Sequence, residues 1–124
     1  MTKKVKVYKT IGDYVALVMF AEDVVEILNI LQRSLNKGEE DVEDAIRMIN
    51  YFDTFYNIMK KKFKEYLTPK KNVSDIIRKR VLIDKIKLIK IDETRMVEVI
   101  LDRSISLDEV LEILVSNNIE VEKA

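Results

Sequence analysis

The chain has 124 residues, 48% of them hydrophobic and 35% charged, and its 22 basic side chains balance its 22 acidic ones. That length and hydrophobic fraction suit one folded domain over residues 1–124 and argue against disorder. The chain has no Cys and no His, which excludes disulfides, Cys- or His-ligated zinc and catalysis by a His base. Its longest apolar run, residues 14–21, is too short to cross a bilayer. We therefore expect a cytoplasmic protein without a cofactor.

The positive charge is concentrated in residues 60–90, which we call the basic segment. It holds twelve Lys and Arg against three acidic residues, whereas residues 1–59 and 91–124 carry net charges of −3 and −6. A dipolar distribution of this kind attracts polyanions or acidic partners. Abundant charge, a single Gln and few Gly and Pro residues are typical of heat-adapted proteins, so we expect a protein from a hyperthermophile.

The first predicted elements are a strand and the start of a helix. Residues 3–9 alternate polar and apolar side chains, as a half-buried strand does. Thr10 followed by Asp13 is a capping-box variant, which predicts that a helix begins there. Residues 14–21 are apolar on every side, which fits a buried helix or a buried strand equally well. The upstream cap favours the helix.

Two long antiparallel helices follow in the prediction. Apolar residues spaced three and four apart from 17 to 35 mark one helical face, and Gly38 suits a left-handed C-cap. A second stripe runs from residue 42 to residue 66 at heptad-like spacing, until Pro69 stops the helix.

A further apolar stripe lies about 60° around the second helix, at ~100° per residue. The two stripes cover about half of the circumference, which is more than one partner helix usually covers. We therefore expect contact with two elements or burial in a homodimer interface. The candidate interface residues are Tyr51, Phe55, Met48 and Ile58.

The remaining elements are shorter. Asn72 or Ser74 caps a third helix predicted from about residue 75 to residue 84, and residues 86–101 fit a β-hairpin with a bulge at 88–89.

A C-terminal helix is predicted from the capping box formed by Ser106 and Glu109, and residues 119–122 fit a short edge strand. The predicted fold is α+β and helix-dominated: two long antiparallel helices, a short basic helix, a small antiparallel hairpin or sheet and a C-terminal helix.

Five acidic residues between positions 39 and 44 suggest either a divalent-metal site or an electrostatic role. Carboxylates in a first turn complement the helix macrodipole by ~0.3–1 kcal/mol each, and lysines 60–64 complement the other end in the same way. Consecutive acidic residues also point in different directions around a helix. We favour the electrostatic interpretation and expect no metal site.

Helix electrostatics do not explain the basic residues from 70 to 90. A short basic helix containing residues 78–80, followed by a basic hairpin, is similar to the end of a winged helix-turn-helix, in which the hairpin touches phosphate. The alternative is a solvated face that pairs with the acidic N- and C-terminal parts. The predicted phosphate-binding residues are Lys70, Lys71, Arg78, Lys79, Arg80, Lys85, Lys87 and Lys90.

We therefore expect a small non-enzymatic nucleic-acid-binding protein, for DNA or RNA, with little sequence preference. The alternative is a protein–protein interaction module, such as an adaptor, a virion component or an inhibitor, whose basic face docks an acidic partner. With two glycines in the chain there is no Gly-rich phosphate loop, and no enzyme is expected. Six of the nine aromatic residues fall on the predicted second helix, where a core role is favoured over base stacking.

Overall fold

The computed structural model describes residues 3–123, which form five strands and five helices. In chain order the elements are β1 (Lys4–Lys9), β2 (Val15–Phe20), α1 (Ala21–Leu35), α2 (Glu39–Asn50), α3 (Phe52–Lys61), α4 (Val73–Ile77), β3 (Ile83–Ile91), β4 (Thr94–Leu101), α5 (Leu107–Ser116) and β5 (Glu120–Lys123).

The five strands form one sheet in the order β3-β4-β2-β1-β5. Neighbouring strands are antiparallel except β1 and β5, which run parallel. Helices α1, α2, α3 and α5 pack on the face of the sheet that carries Val7, Leu17 and Val99. The hydrophobic core lies between that face and helix residues such as Leu28 and Ala45, all of them buried. The molecule is therefore a two-layer α+β fold.

The other side of the sheet, which we call the outer face, carries the alternate residues of each strand. Strand side chains point to opposite faces in turn, so residues paired across the sheet share a face. One such row crosses all five strands and consists of Glu122, Lys6, Val18, Glu98 and Lys87.

The prediction of a helix-dominated fold is wrong, and the first error falls on residues 15–20. They form β2, which lies between β1 and β4, and a strand in that position is apolar on both faces. Thr10 is not a helix cap: it exchanges hydrogen bonds with Tyr14 and closes the turn between β1 and β2. Asp13 lies in that turn with a φ of 66°. Helix α1 begins only at Ala21.

The predicted second helix is also wrong, because the chain bends at Tyr51 and forms α2 and α3 separately. Tyr51 has φ −114° and ψ 45°, outside helical values. Helix α2 packs against α1, and α3 packs against β3. The wide apolar face therefore contacts two elements of the same chain, the first of the two explanations that its width suggested. Helix α3 ends at Lys61, before Phe63 and Tyr66.

Gly38 lies at the N-cap of α2, whereas the left-handed C-cap of α1 is Asn36 with a φ of 53°. Gly38 has a φ of 83°, and a Cβ there would lie 2.5 Å from the Cβ of Leu82. Its N–H donates to the carbonyl of Arg80 at 2.7 Å. A glycine is therefore needed where the end of the predicted basic helix approaches α2.

Helix α4 is shorter than predicted. Asn72 caps it, since its side chain accepts from the N–H of Ser74 at 2.8 Å, but the helix ends at Ile77. Beyond it the N–H groups of Leu82 and Ile83 donate to the side chain of Asp41 instead of to a preceding turn.

The hairpin is confirmed as β3 and β4, although its register shift falls at 83–85 and not at 88–89. The capping box of Ser106 and Glu109 is confirmed at the start of α5. The short edge strand is confirmed as β5, which pairs with β1. Among the helices described within residues 3–123, none has the length and apolar character needed to span a bilayer.

Candidate nucleic-acid interface

The eight predicted phosphate-binding residues fall into two groups. Lys70, Lys71 and residues 78–80 precede β3. The backbone N–H of Lys70 donates to Asp44 at 2.7 Å, and the Nζ of Lys71 donates to the carbonyl of Asp84 at 3.0 Å. Residues 78–80 are exposed and follow α4 instead of lying on it. The structure therefore lacks the basic helix on which the similarity to a winged helix-turn-helix depended.

The second group lies on β3 itself. Lys85 and Lys87 project from the outer face, because they pair with Ile100 and Glu98 there. Lys90 lies on the helix side of the strand, where its Nζ is 3.6 Å from the carboxylate of Asp53.

A groove of about 250 Å³ runs between β3 and the end of α3, and we call it the lysine groove. Four lysines of the basic segment line it: Lys60, Lys64, Lys87 and Lys90. Its one acidic lining residue is Glu65, whose carboxylate lies 3.6 Å from the Nζ of Lys87. Among residues 3–123, Lys60 and Lys64 take part in no ion pair. Since Lys87 and Lys90 are paired with Glu65 and Asp53, the uncompensated positive charge of the groove comes from Lys60 and Lys64.

Two tyrosine rings lie beside these lysines. The Nζ atoms of Lys60 and Lys90 are 5.5 and 5.9 Å from the ring centre of Tyr56. The Nζ atoms of Lys85 and Lys87 lie 4.4 and 5.9 Å from the ring centre of Tyr66. A cation–π contact orients an ammonium group without neutralising its charge, so the groove keeps its positive potential.

Tyr66 is tied to the centre of the outer face through Glu98, which is only 8% exposed. Glu98 accepts hydrogen bonds from the hydroxyl groups of Tyr8 and Tyr66. Burial raises the pKa of the Glu98 carboxyl. Burial and the neighbouring charge of Glu65 raise the pKa of the Tyr66 phenol, which therefore remains a donor at neutral pH.

Helix α3 ends in a Schellman motif beside the groove. The N–H of Phe63 donates to the carbonyl of Lys60 at 3.2 Å, and the N–H of Lys64 donates to that of Met59 at 2.9 Å. Phe63 has a left-handed φ of 53° and its side chain is 96% exposed. The prediction that Phe63 lies on the core face of a helix is wrong, because the helix ends before it.

Two of the acidic residues between positions 39 and 44, Asp41 and Asp44, accept hydrogen bonds from the backbone of the basic segment. Asp41 is 1% exposed and accepts from the backbone N–H groups of Leu82 and Ile83 at 2.8 and 2.7 Å. In the described part of the chain, no group of three or more acidic side chains could hold a metal ion. The electrostatic interpretation therefore missed a second role, which is to accept hydrogen bonds from the backbone of the basic segment.

Asp44 has the same role at the start of that segment, where it accepts from the N–H of Lys70. Burial opposes the ionisation of Asp44, but the backbone hydrogen bond from Lys70 and the guanidinium of Arg47 outweigh it and lower the pKa of the carboxyl.

The four candidate dimer residues are not equally accessible. Met48 is buried in the core, and Phe55 and Ile58 are half-buried. Tyr51 is 63% exposed and lines an open groove of about 820 Å³ together with the exposed Phe20. Because the wide apolar face is already covered within one chain, its width no longer argues for a second copy. The homodimer stays a prediction, with Tyr51 as its accessible candidate.

Sequence reasoning identified Lys87 and Lys90 but missed the rest of the groove. It attributed Lys60 and Lys64 to helix electrostatics and treated the aromatic residues as core. The signal that was available is the interleaving of aromatic and basic residues from 56 to 66.

Comparisons with protein-family models, with curated proteins and with solved structures each find no match to this chain.

Proposed function

We propose that this chain is a small non-enzymatic nucleic-acid-binding protein that holds a phosphate backbone in the lysine groove. The observation that carries the proposal is the convergence of four lysines, Lys60, Lys64, Lys87 and Lys90, on one groove with a single acidic residue in its lining. Lysines reach phosphate as point charges and do not read base edges, so little sequence preference is expected.

Two of the groove lysines lie along β3. Lys87 and Lys90 are three residues apart, which at ~3.3 Å per residue separates their positions by about 10 Å along the strand. Lys60 and Lys64 line the same groove from the end of α3. The groove lysines can therefore contact more than one phosphate of a backbone that follows β3.

The other predicted residues lie outside the lysine groove, towards the start of β3. Lys71 and Lys85 lie beside the first part of the strand, and residues 78–80 lie before it. We assign them flanking phosphate contacts that strengthen binding less than the groove does. The cytoplasmic location and the lack of enzymatic activity expected from the sequence remain part of the proposal.

Two other roles for the lysines compete with this one. Lysines on an edge strand such as β3 discourage the edge-to-edge pairing of sheets from two molecules. A basic groove also fits an acidic segment of another protein. The specific feature favouring nucleic acid is that the ammonium groups line a narrow groove beside aromatic rings, as in single-strand binders.

The test compares two double charge reversals that change the net charge equally. Lys64→Glu with Lys87→Glu alters the groove, whereas Lys61→Glu with Lys62→Glu alters exposed lysines that do not line it. Fluorescence anisotropy with a labelled oligonucleotide at about 50 mM salt should show at least a tenfold loss for the groove variant and a much smaller loss for the control. Equal losses would contradict a groove site, and the absence of binding by the unaltered protein would contradict the function.

A further inference from the structure

We infer that the nucleic acid is single-stranded and that Phe63 stacks on one of its bases. This inference rests on the proposed function and deepens it by naming the class of substrate. It is carried by the placement of an exposed, strained aromatic residue between two lysines of the groove.

Phe63 lies beside the lysine groove, next in the chain to Lys64, which lines it. Its N–H donates to the carbonyl of Lys60, and Lys64 is the next residue, so both flanking lysines are fixed by the same Schellman motif. A phosphate held by Lys60 or Lys64 brings its neighbouring nucleotide next to the Phe63 ring.

Folding does not explain a phenylalanine at position 63. Its side chain is 96% exposed and buries almost no apolar surface, although phenylalanine is among the side chains that gain most from burial. Its φ of 53° is the left-handed conformation that a Schellman motif usually assigns to glycine. Glycine would satisfy the backbone better at this site. A residue that is unfavourable for folding in both respects is expected where its side chain has a function.

Of the aromatic rings near the groove, Phe63 is the one available for stacking. Tyr56 and Tyr66 are half-buried and have lysine ammonium groups beside their rings. Phe63 is almost fully exposed, so a planar group can lie on its ring without displacing another side chain.

Stacking on Phe63 requires an unpaired base. In a duplex the base faces are covered by their neighbours, whereas a single strand can splay a base onto an aromatic side chain. The lysine groove supplies the phosphate contacts of such a site and Phe63 supplies the stacking surface.

An exposed phenylalanine among lysines also fits the surface of an anionic bilayer. The structure favours the single strand because Lys87 and Lys90 continue the positive charge along a groove and not across a flat surface. A linear polyanion follows a groove, whereas a bilayer requires a planar set of contacts.

The experiment measures the affinity of three proteins, the unaltered chain, Phe63→Gly and Phe63→Tyr, for a single strand, a duplex and an abasic strand of equal length. Phe63→Gly should lose on the order of tenfold in affinity for the single strand, since stacking on an aromatic ring is worth that much or more per base. Its affinity for the duplex and for the abasic strand should match that of the unaltered chain. Phe63→Tyr keeps the ring and should retain single-strand binding.

A stability measurement completes the test and excludes misfolding as the cause. Because glycine suits the left-handed position, Phe63→Gly should raise the midpoint of thermal unfolding while it lowers single-strand affinity. Lost affinity together with a lowered midpoint would overturn the inference, because the residue would then act through the fold.

Different experimental results would contradict the proposed function and the stacking role of Phe63. If no nucleic acid binds, the proposed function itself is wrong. If Phe63→Gly binds the single strand as tightly as the unaltered chain while the Lys64→Glu and Lys87→Glu variant does not, the function stands and the stacking role is wrong. If Phe63→Gly loses binding only to vesicles containing phosphatidylserine, the residue contacts membranes and the inference is overturned.

Discussion

The ammonium group of Lys85 lies 4.4 Å from the ring centre of Tyr66. Tyr66 follows α3 in the chain, whereas Lys85 belongs to β3, so this contact joins the segment after α3 to the strand beside the lysine groove. Leu67, the next residue, reinforces the connection by exchanging two backbone hydrogen bonds with Ile86 at 2.7 and 2.8 Å. The shape of the groove therefore depends on where residues 66 and 67 dock.

Tyr66→Ala should destabilise the protein by about 2 kcal/mol, because it removes the cation–π contacts and the packing of the ring. Tyr66→Phe keeps the ring and loses only the hydrogen bond to Glu98, so we expect a cost of about 1 kcal/mol or less. Urea unfolding of both variants measures the difference. Equal costs would mean that the hydroxyl group, and not the ring, holds the groove together.

Asp41→Ala should be among the most destabilising single changes outside the apolar core. It leaves the buried N–H groups of Leu82 and Ile83 without their acceptor, at a cost of about 2–4 kcal/mol. Glu43→Ala is the matched control, since Glu43 is an exposed carboxylate on the same helix. If chemical denaturation shows the two variants to be equally stable, the acidic residues act only through the helix dipole.

Ionisation of Glu98 should lower the free energy of unfolding as the pH rises. Burial raises its pKa above the value near 4.5 that it has when unfolded. The contribution of Glu98 to the free energy of unfolding is therefore fully present below about pH 4.5. It is lost as the pH rises through the higher pKa of the folded state.

Glu98→Gln keeps an acceptor for Tyr8 and cannot ionise. We expect it to be more stable than the unaltered protein at pH 7, with the difference disappearing towards pH 4. Denaturant unfolding of both proteins at the two pH values isolates this contribution from other titrating groups. A difference that grows as the pH falls would contradict the sign.

If two copies associate, Tyr51 is the accessible residue on which the contact should depend. Tyr51→Lys would place a charge in a homodimer interface and should reduce the sedimenting mass from two chains to one. The control is Lys61→Glu, which changes an exposed position elsewhere. Ile58→Lys is unsuitable because Ile58 is half-buried within the chain. A mass of one chain for the unaltered protein would contradict the dimer prediction outright.

Elements with local signals were predicted correctly from the sequence. The alternation in residues 3–9, the hairpin predicted over residues 86–101 and the capping box of Ser106 and Glu109 each depend on neighbouring residues alone. The hairpin in the structure begins earlier, at Ile83, within the range predicted to be helical. Residues 15–20 carry no such signal, because an apolar run fits a central strand and a buried helix equally well. Pairing with β1 and β4 decides between them, and that pairing is not encoded within the run.

The site was harder to predict for the same reason. The concentration of charge in residues 60–90 is visible in the sequence, but the groove forms only where the end of α3 meets β3. That meeting depends on the pairing of Leu67 with Ile86 and on the hydrogen bonds that Asp41 accepts. The end of α3 at Lys61, which exposes Phe63, likewise interrupts a stripe that the spacing alone continued to Tyr66.

The most direct test of the account is the salt dependence of binding to a labelled single strand, measured by fluorescence anisotropy from about 50 to 200 mM salt. Each phosphate that a lysine neutralises on a single strand contributes about 0.7 to the slope of log affinity against log salt, so four groove lysines predict a slope of about −3. A slope in that range would mean that the protein neutralises about four phosphates, as many as there are groove lysines. No binding at the lowest salt concentration, or an affinity that does not change with salt, would contradict the central claim.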